Sequence, residues 1–258
     1  MEWYLYVAVV AAGFAAGFIN TLAGSGSLIT LPLLIFIGLP ANVANGTNRV
    51  AILLQNVVGV RGYHREGVLD WRGGVKLVIP ALIGAVIGAQ IAVDVDETVL
   101  RHTIGGLMLV MLIPLFVQPR RWLAEHTTSV GRSHGWVQYL VFFAIGLYGG
   151  FIQAGVGIFL LAGLVLGAGY DLVRANAIKL FIVLCYTPLA LAVFFWAGQV
   201  RWDVGLTLAV GNMLGAWVAV KIAVRKGAPF VRWILIGVVL VAGLKLLGVF
   251  DQALGLIW

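Results

Sequence analysis

The sequence predicts an all-α polytopic membrane protein with two inverted-topology repeats, each with a glycine-broken re-entrant hairpin plus three transmembrane helices. Three observations lead to this fold: an apolar composition, two long apolar stretches interrupted by glycine, and an internal repeat whose loop charges change sign. Of 258 residues, 62% are hydrophobic and 10% are charged, whereas soluble domains are about 45–50% apolar and about 25% charged. Most of the chain is therefore expected to lie in lipid.

The net charge of +7 comes from basic residues scattered in short gaps between apolar runs. That placement is typical of loops facing an anionic membrane leaflet and not of a nucleic-acid-binding surface. The single cysteine, Cys185, lies in an apolar run and excludes both a disulfide framework and a thiolate metal site. The start, Met1-Glu2-Trp3, lacks the basic region of a cleavable signal, so the first apolar run is expected in the mature protein.

Apolar runs of about 20 residues are long enough to cross a bilayer. Such runs lie near residues 41–61, 75–93, 99–117, 171–197, 202–222 and 231–249. Two longer stretches, 4–38 and 136–168, would each form a helix of about 50 Å. Glycine interrupts both stretches, at Gly24-Ser25-Gly26-Ser27 and at Gly155-Val156-Gly157, and permits a sharp bend. We expect a re-entrant hairpin in each, with two full spans per stretch as the alternative.

Loop charges orient these segments. Basic loops near 61–76, 120–132 and 221–232 are predicted to be cytoplasmic, and the acidic loop near 94–97 is predicted to be outside. Hairpins that return to their own side satisfy these assignments, with both termini outside.

The two halves of the chain resemble each other. Gly17-Phe18-Ile19-Asn20 recurs as Gly150-Phe151-Ile152-Gln153, and an offset of 131 then carries Asn45 to Asn176 and Trp71 to Trp202. Equivalent loops are predicted on opposite sides, so the repeats are inverted. The predicted units are a first transmembrane repeat at 1–117, a cytoplasmic linker at 118–134 and a second, inverted repeat at 135–258. Inverted repeats with broken helices are typical of secondary transporters, whose site lies where the repeats meet.

The glycine breaks are expected to face each other in the protein interior, because unpaired backbone is not tolerated in lipid. Each break begins a short helix, at 25–28 and 156–159, whose free N–H groups favour an anion. Arg49 and Lys179 add positive charge, and no carboxylate lies deep in these segments. The predicted substrate-binding residues are Asn20, Thr21, Gly24, Ser25, Gly26, Ser27, Asn45, Thr47, Asn48, Arg49, Gln153, Gly155, Gly157, Asn176, Lys179 and Tyr186.

Structural alternatives accompany several of these residues. Arg49 and Lys179 could extend their charged ends to the membrane interfaces. Asn45 and Asn176 could instead form hydrogen bonds between helices. The small residues at 84–88 are expected to serve close helix packing, not a site.

The sequence contains few of the motifs that are typical of enzymes. All four histidines fall in or beside loops, and no H-E-x-x-H spacing occurs on a span. Neither glycine motif has the spacing of an ATP-binding loop. We therefore expect no enzyme, no metal site and no cofactor.

The run from Gly17 to Ser27, followed by Pro32 and then by Ala44-Asn45-Gly46-Thr47-Asn48, resembles the sulfite exporter TauE/SafE family of membrane transporters. A second copy from Gly146 to Lys179 agrees, although Ala177-Ile178 stands where the first half has Gly46-Thr47. The resemblance covers nearly the whole chain. It implies movement of sulfur-containing anions such as sulfite or small organosulfonates.

The sequence thus predicts a secondary transporter of the cell (inner) membrane that moves a small anion, sulfite or an organosulfonate, by alternating access. The expected partners are that anion and membrane lipid, without nucleic acid. A homodimer is compatible with the sequence, which does not decide it. The alternatives are an anion channel with the same site and a non-transporting membrane subunit of a partner enzyme.

Overall fold

The computed structural model describes residues 3–100, 102–103 and 135–246, and all regular secondary structure in these ranges is helical. The main helices are α1 (Trp3–Ala23), α2 (Ser27–Phe36), α3 (Ala41–Arg65), α4 (Trp71–Asp94), α5 (Trp136–Phe151), α6 (Val156–Ala162), α7 (Leu172–Trp196) and α8 (Trp202–Leu246). A π-helical turn, Gly163–Gly167, continues α6. The predicted linker 118–134 and most of the predicted span 99–117 lie outside the described residues.

Four of the described helical segments are long and apolar enough to cross a membrane: Leu5–Ala23, Trp71–Asp94, Leu172–Trp196 and Trp202–Gly227. The chain is therefore a polytopic helical membrane protein. Helix α3 has comparable length, but polar side chains at Asn45, Asn48 and Arg49 interrupt its apolar character. The predicted span 202–222 and residues 231–246 of the predicted span 231–249 fall on α8, which Gly227 (φ 69°, ψ −170°) divides into two segments. Residues 247–249 lie outside the described residues.

Short polar loops fix where the long helices begin. The Asp70 carboxylate accepts a hydrogen bond from the backbone N–H of Gly73 (3.1 Å) at the start of α4. Asp171 does the same for Val173 (2.9 Å) and Arg174 (3.0 Å) at the start of α7. An aspartate at this position pairs N–H groups that have no partner within the helix.

Each half of the chain packs its first helix against a long helix of the other half. Helix α1 lies against α8, and α5 lies against α4. Glycines allow the close approach: a Cβ added at Gly17 would lie 2.2 Å from the Asn212 carbonyl oxygen, and one at Gly84 would lie 2.2 Å from that of Phe143. The predicted packing role of the small residues at 84–88 is confirmed.

Both α4 and α8 carry a stripe of exposed apolar side chains on the surface away from the core. Ile79 and Ile83 on α4 are 61% and 49% exposed, and Val210 and Leu214 on α8 are 47% and 51% exposed. These pairs are separated by the same offset of 131 residues. Exposed apolar stripes of this length are suited to contact with lipid.

Candidate functional site

The two glycine breaks meet at the centre of the molecule. Helix α1 ends at Ala23 and α2 begins at Ser27, with Gly24 at φ 77° between them. Helix α5 ends at Phe151 and α6 begins at Val156, after Gly155 at φ 66°. A Cβ added at Gly24 would lie 2.3 Å from the carbonyl carbon of Gly157. The breaks therefore contact each other, as expected, and leave no room for a side chain at the contact.

Helix α3 of the first half holds the break of the second half. The Asn45 side-chain amide donates to the Phe151 carbonyl oxygen (2.8 Å). Arg49 donates through Nη1 to the carbonyl of Gly149 (3.2 Å) and through Nη2 to that of Gly150. Since these carbonyls belong to the last turn of α5, they carry the negative end of its dipole.

Helix α7 holds the break of the first half in the same way. The Asn176 amide donates to the Leu22 carbonyl oxygen (2.9 Å). The Lys179 ammonium donates to the carbonyls of Asn20 (2.8 Å) and Thr21 (3.1 Å) and to the Asn176 side chain (2.6 Å). Asn45 and Asn176 thus form the interhelical hydrogen bonds that were one of their two interpretations.

The two buried cations place positive charge at this centre. Arg49 is 0% exposed and Lys179 is 1% exposed, so neither reaches a membrane interface. Among the described residues, neither lies within salt-bridge distance of a carboxylate. Backbone dipoles partly compensate the two charges, while the Arg49 guanidinium also lies 4.5 Å from the centroid of the Phe194 ring. The centre therefore holds two buried basic side chains that no carboxylate of the described residues offsets.

A small cavity lies between the breaks, with room of the order of one water molecule. It is lined by Asn20, Ser27, Ile52, Asn56, Gln153, Val156, Gly157, Lys179, Leu180 and Val183. Five of the predicted site residues line it, namely Asn20, Ser27, Gln153, Gly157 and Lys179. The apolar residues give it low-dielectric walls, which strengthen electrostatic interactions inside.

Asn48 and Tyr186 hold residues of the cavity wall, whereas Thr47 forms its hydrogen bond elsewhere. The Asn48 side chain accepts from the Thr30 hydroxyl (2.7 Å) and donates to Ser27 Oγ (3.2 Å), which fixes α2 against α3. The Gln153 Nε2 donates to the Tyr186 hydroxyl (3.3 Å). The Thr47 hydroxyl accepts from the backbone N–H of Arg201 (2.9 Å) and lies toward the α7–α8 loop.

The remaining predicted residues belong to the breaks themselves. Thr21 and Ser25 are buried, and their hydroxyl oxygens have no hydrogen-bond partner among the described residues. Gly26 packs against α1, since a Cβ there would lie 2.2 Å from the Ala16 carbonyl oxygen.

Asn56 is a cavity-lining residue that the sequence interpretation missed. It is fully buried, and neither its Nδ2 nor its Oδ1 has a partner among the described residues. The signal was present, because Asn45, Arg49, Ile52 and Asn56 are spaced four, three and four residues apart and so share one face of α3.

A model of the family described as sulfite exporter TauE/SafE matches residues 9–246. The chain belongs to the TauE/SafE family. It is therefore a membrane transporter of that family, the class that the broken repeats and the sequence motif predicted.

Relatives of this TauE/SafE protein carry similar descriptions. A "Probable membrane transporter protein ORF9" of Sinorhizobium sp. is 29% identical over 252 residues, covering 96% of this chain and 94% of the relative. A "Probable membrane transporter protein" of Haemophilus influenzae is 26% identical over 220 residues, covering 85% and 86%. The "Probable membrane transporter protein YfcA" of Escherichia coli K12 is 27% identical over 234 residues, covering 90% and 86%. No solved structure matches the chain significantly.

Proposed function

We propose that this TauE/SafE transporter moves a small anion, sulfite or an organosulfonate, across the cytoplasmic membrane through the cavity between the two breaks. The observation that carries the proposal is the pair of buried cations, Arg49 and Lys179, without a carboxylate within salt-bridge distance among the described residues. A buried cation that is compensated only by carbonyl dipoles and neutral side chains is still costly, and a bound anion relieves that cost. A cationic cargo would add to it.

The residues around the cavity are suited to oxyanions. We place the anion oxygens at the starts of α2 and α6, near 25–28 and 156–159, because the earliest N–H groups of a helix have no partner within it. The Leu28 and Ile158 N–H groups already donate to the Ser25 (3.0 Å) and Gly155 (2.9 Å) carbonyls, so the N–H groups that precede them are the candidates. Ser27 adds a hydroxyl at the cavity wall. Because the three hydrogen bonds of the Lys179 ammonium already go to the first break and Asn176, its contribution to the anion is mainly charge.

The same arrangement supports alternating access as the proposed transport mechanism. The cavity is too small for an anion of four heavy atoms, so the halves have to separate around it. Contacts between them occur toward both ends of α3: the Tyr170 hydroxyl donates to the Asp70 carboxylate (3.0 Å), and the Gln199 amide donates to the Val93 carbonyl (3.1 Å). We propose that these two contacts open in turn.

Two inverted repeats, at 1–117 and 135–258, supply this motion in the proposal, with 118–134 as their linker. The exchange of contacts between α1 and α8 and between α5 and α4 supports such a relation. In the proposed topology α1–α2 and α5–α6 are re-entrant hairpins, which suits the short α2 and α6.

Uptake of radiolabelled sulfite or sulfoacetate into proteoliposomes tests the proposal. We expect saturable uptake, inhibited by unlabelled anion, without single-channel currents in planar bilayers. Unsaturated flux with such currents would instead indicate a channel. No uptake above that of empty liposomes for any small anion would contradict the proposed function.

A further inference from the structure

Asn56 presents an unused amide to the candidate anion cavity. Its side chain lies on α3, is fully buried and lines the cavity beside Ser27 and Lys179. Both amide atoms lack a hydrogen-bond partner among the described residues. Buried amides are normally paired, and leaving one unpaired is unfavourable. A partner supplied by the cargo is a direct way to satisfy it.

Two neighbouring buried polar groups at the cavity, Gln153 and Lys179, are already engaged. The Gln153 Oε1 accepts from Arg49 (3.0 Å), and its Nε2 donates to Tyr186 (3.3 Å). The Lys179 ammonium has three acceptors of its own. Asn56 therefore differs from Gln153, the other buried amide at the cavity, in offering both a donor and an acceptor.

The second half has no counterpart of this amide. The offset of 131 pairs Asn56 with Thr187, whose hydroxyl donates to the Val183 carbonyl of its own helix (2.6 Å). The free donor and acceptor of Asn56 therefore belong to the first half of the chain and have no equivalent in the second.

An amide that can both donate and accept distinguishes between anions. A fully deprotonated oxyanion offers only acceptors. It can accept a hydrogen bond from the Asn56 Nδ2, but it has no donor for the Asn56 Oδ1, which then lies against a negatively charged oxygen. An anion that carries one O–H group satisfies both atoms. We propose that Asn56 is a substrate-binding residue that selects anions carrying a hydroxyl group, either a monoprotonated oxyanion or a hydroxysulfonate. This inference rests on the proposed anion transport through the same cavity.

Two sulfonates that differ by one hydroxyl test the selection. Isethionate and ethanesulfonate would be compared as inhibitors of radiolabelled sulfite uptake into proteoliposomes. We expect isethionate to inhibit roughly ten- to hundredfold more strongly, because ethanesulfonate leaves a buried acceptor unpaired. With equal pH on both sides, sulfite uptake should follow the monoprotonated fraction of the anion.

Variants of Asn56 separate selection from general damage. Asn56→Leu keeps the branching of the side chain and has no polar atom, so the inhibition ratio of the two sulfonates should fall toward one and the pH profile should flatten. Asn56→Ser keeps a donor and an acceptor, so it should retain part of the hydroxyl preference and part of the pH dependence. Asn42→Leu is the matched control on the same helix, because the Asn42 Oδ1 accepts from the neighbouring Val43 N–H (2.9 Å) at the start of α3 and Asn42 does not line the cavity. Both readouts should be unchanged.

Each outcome decides the inference. A hydroxyl preference with a flat pH profile identifies a hydroxysulfonate, and a pH profile without that preference identifies a monoprotonated oxyanion. Uptake with equal inhibition by both sulfonates and no dependence on the monoprotonated form would overturn the inference while the proposed function stands. So would an Asn56→Leu protein that retains both properties. No anion uptake at all would overturn both. If Asn56→Leu does not fold, the wild-type comparisons decide.

Discussion

The two glycine breaks are held by the same kind of contact but differ in what they present to the cavity. Asn176 and Lys179 hold the first break, and Asn45 and Arg49 hold the second. Lys179 lines the cavity, whereas Arg49 does not. Of two buried cations with similar backbone partners, only one is placed to contact an anion directly.

The breaks also differ in the residues that begin their short helices. The first carries hydroxyls at Ser25 and Ser27, and the second carries Val156, Gly157 and Ile158. We infer that the first break supplies hydrogen bonds to the anion and that the second supplies backbone and an apolar wall. Equivalent positions in the two repeats can therefore have different roles in binding the anion.

The largest effect is expected where the breaks contact each other. Gly24→Ala places a Cβ 2.3 Å from the Gly157 carbonyl carbon, so the two breaks cannot meet and the folded protein should be lost. Gly38→Ala is the control, since Gly38 also has a positive φ (96°) but nothing lies within 4 Å of an added Cβ. Its cost should be only the backbone strain, about 1 kcal/mol. Monodisperse yield and Tm measure both variants, and a normal Gly24→Ala protein would contradict the contact.

The next effect separates the two cations. Arg49→Met leaves the Gly149 and Gly150 carbonyls and Gln153 without their donor, and we expect a loss of stability of about 3 kcal/mol. Lys179→Met likewise leaves three acceptors without their donor, so we expect a comparable fall in Tm. It also removes a charge from the cavity wall and should reduce uptake per folded molecule by about a hundredfold or more, a larger loss of uptake than in Arg49→Met. Scanning fluorimetry and uptake on the same preparations separate the two effects. A larger loss of uptake per folded molecule in Arg49→Met than in Lys179→Met would contradict the assignment of Lys179 as the cation of the cavity wall.

A moderate effect is expected at the first break. Ser27→Ala removes a hydroxyl from the cavity wall and the acceptor for Asn48, so the half-saturating anion concentration should rise about fivefold. The control is Thr207→Ala, because that hydroxyl donates to the Asp203 carbonyl of its own helix (2.8 Å) at the surface. An unchanged half-saturation in Ser27→Ala would remove Ser27 from the site.

The smallest effect is expected at the contact between Tyr170 and Asp70. Burial, followed by the hydrogen bond to Asp70, raises the pKa of Tyr170 from 10.0 to about 12, so the hydroxyl stays protonated and donates near neutral pH. The hydrogen bond from the Tyr170 hydroxyl to Asp70 therefore contributes fully to the stability of the fold below pH 10.0. That contribution is lost as the pH rises through about 12 and the hydroxyl ionises. Tyr170→Phe should change the uptake rate by about fivefold or less, without altering its pH dependence between pH 6 and 8. A shifted profile in that range, measured with equal pH on both sides, would contradict this assignment.

Much of the centre could be predicted from the sequence because glycine and buried charge are strong local signals. Because unpaired backbone is not tolerated in lipid, the sequence predicted the breaks near Gly24 and Gly155 and their contact. Helix packing by small residues predicted the role of residues 84–88. The repeat offset also indicated that Asn45 and Asn176 occupy equivalent places.

The partners of individual side chains could not be predicted from the same signals. Helical spacing places Arg49 on a polar face of α3, but it does not say that the guanidinium reaches the last turn of α5 instead of the cavity. That choice depends on how close α3 and α5 approach. Asn56 was missed because a single polar residue in an apolar run is equally compatible with a hydrogen bond between helices.

Equilibrium binding of radiolabelled sulfite to purified wild-type, Lys179→Met and Gly38→Ala proteins tests the central claim most directly. If the cavity between the breaks holds the anion through the charge of Lys179, wild-type and Gly38→Ala proteins bind it with similar Kd, and a folded Lys179→Met protein binds it at least about a hundredfold more weakly. Equal binding by folded Lys179→Met and wild-type proteins would contradict the claim.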